Sequence, residues 1–97
     1  MALLHINQNE FKQVVLESNQ VVVVDFYADW CGPCKMMGAV LETMDINILK
    51  VNVDEYPEIA RRFGIMSIPT LIIFEDGKEV AKNIGFMSKE ALTEFLK

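Results

Sequence analysis

The residues best placed to do chemistry are two cysteines set two apart, in Trp30-Cys31-Gly32-Pro33-Cys34-Lys35. They are the only cysteines, and the same stretch holds the only tryptophan. Cys-x-x-Cys reads either as half of a metal site or as a redox dithiol. A metal held within one chain needs two more soft ligands. The sequence offers no further cysteine and one histidine, His5, so no bound metal is expected within the chain; a metal or cluster shared between two chains stays open at this point. The redox reading needs less. At a helix start the two sulfurs come close enough to bridge, and unpaired backbone N–H groups favour negative charge there. Cys31, expected at the exposed tip, is then the attacking thiolate with a lowered pKa. Cys34, one turn further in, resolves the mixed disulfide by attacking Cys31. Pro33 stiffens the turn between them, and Gly32 leaves room for a partner backbone.

Asp25 is the second singular residue, because it interrupts the apolar run Val21-Val22-Val23-Val24 and Phe26-Tyr27. A carboxylate inside a buried strand is costly to leave charged, and burial raises its pKa toward neutrality. On the strand that feeds the motif, it is the candidate proton acceptor for Cys34; the alternative is an aspartate turned to solvent. Lys50 could reach Asp25 from a neighbouring strand and moderate its charge, or could be an exposed lysine with a snorkelling stem. Pro69, in Ile68-Pro69-Thr70, opens an apolar strand without loss of a ladder bond, and its peptide geometry is left open. Trp30 is either a flat contact surface over the motif or a core aromatic. The six methionines fall mostly at core spacing.

The elements that must position these groups follow from periodicity. Ala2 to Ile6 reads as a short edge strand. Asn7 and Glu10 have capping-box spacing, and Phe11, Val14 and Val15 give a helix from about residue 8 to 18. Val21 to Tyr27 is apolar without alternation, as in a strand covered on both faces. A helix is expected from about Cys34 to Met44, its inner face made of Met36, Met37, Val40, Leu41 and Met44. Asn47 to Val53 alternates as a strand. Pro57 fits a helix first turn, with Ile59, Ala60 and Phe63 inside and Gly64 at its end. Thr70 to Phe74 is a strand, Asp76-Gly77 a hairpin signal, and Lys78 to Ile84 the return. Ser88 caps a last helix carrying Ala91, Leu92, Phe95 and Leu96. Strands alternating with helices before a closing hairpin give an α/β fold, with a parallel core, an antiparallel edge and helices on both faces.

Length and charge bound the rest. A chain of 97 residues makes one domain, residues 1–97. Just over half of it is apolar, which argues against disorder. A net charge of −5 argues against nucleic acid and against a polybasic membrane site. No stretch is apolar for long enough to span a bilayer. Residues 1–6 lack the basic leader of a signal peptide, so the expected compartment is the cytoplasm. There, paired cysteines are more often catalytic or metal-binding than structural.

Trp30-Cys31-Gly32-Pro33-Cys34-Lys35, preceded by Val24-Asp25-Phe26-Tyr27-Ala28-Asp29, closely resembles the active site of the thioredoxin family. Val51-Asn52-Val53-Asp54, Phe63-Gly64-Ile65, Ile68-Pro69-Thr70-Leu71, Phe74-Glu75-Asp76-Gly77 and Gly85 with Ser88-Lys89 resemble family segments in matching order, so the likeness covers essentially the whole chain. It implies the thioredoxin fold, a five-stranded mixed sheet in the order 1-3-2-4-5 whose last two strands form the antiparallel hairpin. Pro69 matches the family's cis-proline, which lies against the dithiol and pairs with substrate backbone. Trp30, Ile68 and Gly85 match the apolar docking groove, and Asp25 and Lys50 the buried acid and its lysine. The resemblance implies a thioredoxin reductase as electron donor. The chain departs from the family at Tyr27, where a second tryptophan is common, at Ala39 in place of a helix-kinking proline, and at Ser67, often glycine. Between Cys34 and Asp54 it is shorter, so the helix or the following loop is truncated. Phe86 and Met87 are expected to make the groove rim bulkier.

The leading function is a general protein disulfide reductase, a monomer without cofactor acting on disulfide-containing proteins. An oxidant or isomerase is disfavoured by Gly32-Pro33 and by the missing signal peptide. The alternative from another class is a binding module or chaperone subunit that uses the groove around Trp30, Ile68 and Phe86 without redox turnover.

Overall fold

A computed structural model describes residues 2–5 and 8–97, with side chains from Glu10 onward. Among the described residues, ten elements follow one another: β1 (Ala2–His5), α1 (Gln8–Phe11), a π-helix (Lys12–Leu16), β2 (Val21–Tyr27), α2 (Gly32–Glu42), β3 (Asn47–Asn52), α3 (Pro57–Arg62), β4 (Thr70–Glu75), β5 (Lys78–Ile84) and α4 (Lys89–Phe95). The sheet runs β1-β3-β2-β4-β5. β2 lies parallel to β3 and antiparallel to β4, and β1 is parallel to β3. This is a mixed sheet with helices packed against it.

β2 has covered residues on both sides because it is central, which accounts for its unbroken apolar run. Val24 and Phe26 join one core with Phe11, Val15, Val51, Ile59 and Phe74. Val23 turns to the opposite core, built on Met37, Leu41, Ile48, Leu71 and Leu92. The first core is rich in rings: Phe63 meets Phe74 edge-on with centroids 5.2 Å apart and lies tilted against Phe11 at 5.5 Å. Such edge-on geometry sets the positive rim of one ring against the negative face of the other. β3 is likewise covered on both faces: Ile48 is buried in the second core, Leu49 and Val51 in the first.

The helices correct the sequence reading in detail. The first one winds as α only to Phe11 and continues as a π-helix over Lys12–Leu16. Phe11 and Val15 face the core, while Val14 is exposed. The capping role expected of Asn7 lies outside the described residues. α2 starts at Gly32, ahead of the expected Cys34, because Pro33 has no N–H to lose in a first turn and its φ already suits a helix. Met36, expected inside, points to solvent; Met37, one position round the helix, takes the core place. α2 passes through Ala39 uninterrupted and ends at Glu42, and residues 43–46 connect it to β3. In α4, Ser88 accepts from the Ala91 N–H at 3.2 Å; Leu92 is buried and Ala91 is exposed.

The hairpin signal has a direct structural cause. Asp76 and Gly77 both have positive φ, 52° and 77°, as tight hairpin turns with the right twist require. A Cβ at Gly77 would also run into the backbone carbonyl of Leu16.

Candidate active site

β2 delivers the chain to the motif, and α2 receives it. Cys31 is the N-cap of α2, in extended conformation, and its sulfur accepts the Cys34 N–H at 3.1 Å. Cys31 and Cys34 are joined as a disulfide, with Cα atoms 5.2 Å apart. Both sulfurs therefore sit where the free N–H groups and the positive end of α2 stabilise a thiolate once the bond is opened.

Cys31 is not at an exposed tip. It is 4% exposed against 2% for Cys34, because Ala28, Tyr27, Val53 and Ile68 pack around the pair. What separates the two sulfurs is their neighbours. Cys31 Sγ lies 3.9 Å from the carbonyl oxygen of Ile68, the residue before the cis peptide of Pro69. Cys34 instead lines a cleft of about 320 Å³ together with Tyr27, Gly38 and Lys50. A smaller apolar cleft, about 170 Å³, lies on the Ile68 side, bounded by Trp30, Val53, Ile65 and Met66.

Trp30 is no core aromatic: 71% of it is exposed. Its indole N–H donates to Asp54 Oδ2 at 2.6 Å. Asp54 is fixed in turn by Asn52, whose Oδ1 accepts the N–H groups of Asp54 and Glu55 at 2.9 and 3.2 Å. A polar brace thus holds an apolar face toward solvent. Gly32 and Pro33 are exposed beside the disulfide, and Pro69 is buried. Gly85, at φ 98°, donates its N–H to the Pro69 carbonyl at 2.8 Å, which ties the end of β5 to the proline. Phe86 is exposed but bounds neither cleft. Met87, expected on the rim, is buried against Met37 and Leu41.

Asp25 is wholly buried and turned away from solvent. It pairs in register with Lys50 of β3 and Leu71 of β4. Lys50 Nζ stands 3.5 Å from Oδ2. This is an ion pair rather than a well-formed hydrogen bond, and neither carboxylate oxygen has a hydrogen-bond partner among the described residues. Burial pushes the Asp25 pKa up to about 6, and the Lys50 charge holds back a further rise. The same ammonium lies 4.3 Å from the centre of the Tyr27 ring, where the face of the ring attracts a cation. Tyr27's own hydroxyl is raised in pKa, chiefly by burial and then by the Asp29 charge.

Asp54, the Tyr27 ring and Met66 belong to this neighbourhood and escaped the sequence reading as site residues. Tyr27 shares a strand face with Asp25, two residues on, so strand period was a usable signal. The Asn52-Asp54 turn carries an Asx signature. For Met66 no signal existed. No cluster of three or more His, Cys, Asp or Glu side chains suited to a metal occurs among the described residues.

Comparison with known proteins agrees with the geometry. The thioredoxin family profile matches residues 2–97. A thioredoxin of Mycoplasmoides gallisepticum is 46% identical over 98 residues, covering 96% of this chain and 98% of its own. Thioredoxins of Staphylococcus saprophyticus and Bacillus subtilis are 45% and 43% identical, each alignment covering 99% of this chain and 96% of the relative. A disulfide at a helix N-cap, facing a cis-proline, occurs here in a chain alike from end to end, and this chain belongs to the thioredoxin family of thiol–disulfide oxidoreductases.

Proposed function

We propose that the chain is a general protein disulfide reductase, a single domain that works as a monomer in the cytoplasm. The observation that carries this reading is the Cys31–Cys34 disulfide at the α2 N-cap, with Cys31 Sγ beside the Ile68 carbonyl. In the proposed cycle a thioredoxin reductase supplies two electrons and opens the bond. The Cys31 thiolate, favoured by the α2 N-terminus, attacks one sulfur of a substrate disulfide. The Cys31–substrate bond forms as the substrate disulfide breaks, and the first substrate thiolate leaves. Asp25 then accepts the Cys34 proton, directly or through a water. Cys34 attacks Cys31 Sγ, the second substrate thiol is released, and the internal disulfide returns. With its pKa near 6, Asp25 is ionised at neutral pH and yet basic enough to take a proton.

Lys50 is assigned the moderation of Asp25's charge. Trp30, Gly32, Pro33, Ile68, Pro69, Gly85 and Phe86 are assigned to substrate contact, with Pro69 offering backbone pairing. The exposed Trp30 face and the apolar cleft it shares with Ile68 support this. No described helix is long and apolar enough to cross a membrane. The test is reduction of insulin disulfides with dithiothreitol as electron source. Acceleration over a Cys31→Ser control is expected, and equal rates would overturn the assignment.

A further inference from the structure

Gly38 sits inside α2, where glycine is the costliest residue after proline. Nothing in its backbone calls for glycine, because the positive φ values of the described glycines belong to Gly64, Gly77 and Gly85. What adjoins it is Lys50: a Cβ at Gly38 would stand 3.6 Å from Nζ. That ammonium is also the group 3.5 Å from Asp25 Oδ2 and 4.3 Å from the Tyr27 ring centre. It is therefore enclosed by a carboxylate, a ring face and the bare side of a helix. Its remaining side opens on the cleft that reaches Cys34.

We propose that Gly38 is a positioning residue, whose missing side chain leaves the berth in which the Lys50 ammonium lies against Tyr27 and Asp25. A methyl at 3.6 Å would make an ordinary contact and leave the berth intact. A larger side chain would occupy it, and the flexible lysine stem would swing its charge out to the cleft mouth. Asp25 would then be buried without a countercharge and would hold its proton to higher pH. The other ionisable groups around this cleft are Tyr27, Asp29, Lys35 and Glu42, Cys34 being held in the disulfide; His5 of β1 stands opposite Lys50 in strand register. The consequence for turnover rests on the reading of Asp25 as proton acceptor. The positioning itself does not.

The experiment follows the Asp25 carboxyl carbon by NMR titration in the oxidised protein. Gly38→Leu should raise its midpoint by ~1 pH unit or more, the effect of losing an opposite charge at this range. Gly38→Ala should keep the wild-type midpoint. Lys50→Met should raise it alone, and Gly38→Leu should add nothing further in that background. Gly38→Met, of similar bulk and good helix propensity, replaces the leucine variant if that one does not fold. His5→Gln should leave the Gly38→Leu shift intact. An unchanged midpoint in the bulky variant, or the same shift with Lys50 already removed, would overturn the proposal. A raised midpoint with an unchanged pH profile of insulin reduction upholds the positioning and overturns the acceptor role of Asp25.

Discussion

Asp25 is held between two opposing demands, its own burial and the Lys50 ammonium at 3.5 Å. Burial wins, and its pKa rises from 3.8 to about 6. The folded protein therefore binds a proton more tightly than the unfolded chain does. Stability from this group is fully present below pH 3.8 and is lost as pH rises through 6. Asp25→Asn should accordingly be more stable than wild type at pH 8, by about 2–3 kcal/mol. The gain should vanish near pH 3.5, as urea unfolding at the two pH values will show. The same midpoint should mark function: insulin reduction should fall as pH drops through about 6, and Asp25→Ala should lack that inflection. Trp30 gives a contrasting case, since its face is solvated. Trp30→Ala should change stability by no more than about 0.5 kcal/mol. It should lower kcat/KM roughly tenfold, as for loss of an aromatic anchor worth about 1–2 kcal/mol.

At the scale of the elements, local signals carried as far as local physics decides. Asp76-Gly77 marked the hairpin because positive φ is adopted readily by glycine and, among other residues, chiefly by aspartate and asparagine. Gly77→Val should cost about 2–3 kcal/mol in thermal or urea unfolding, from backbone strain together with the clash at Leu16. Ser88 marked the start of α4 in the same local way. What was not legible depended on the third dimension. Met36 and Met37 are equal in sequence, and only the packing of α2 on the sheet chooses between them. Met87 follows an exposed phenylalanine yet drops into the core beneath α2. The π-winding of Lys12–Leu16 leaves no mark in an ordinary helical pattern. Cys31 looked exposed because motif tips usually are, and it is covered by Ile68 and Val53 from distant elements.

Across the whole molecule, the sheet has a core on each face and carries the redox pair at the end of its central strand. The thiol–disulfide chemistry was readable early because it rests on two cysteines at fixed spacing. The Asp25–Lys50 pair could be suspected from strand register, and the structure puts the two charges together. The asymmetry around the disulfide could not be read, since it is made by two clefts that separate chain segments enclose. One is apolar and lies on the Ile68 side. The other borders Cys34 and Lys50. With both sulfurs nearly equally covered, exposure does not decide which one meets substrate, and the proposed order of attack rests on their neighbours. The most direct measurement is a trap, in which Cys34→Ser and Cys31→Ser variants are mixed with a disulfide-containing protein and covalent adducts are mapped by mass spectrometry. Stable mixed disulfides are expected on Cys31 in the Cys34→Ser variant and none on Cys34 in its counterpart. Adducts accumulating equally on Cys34 when Cys31 is removed would contradict the proposed order of attack.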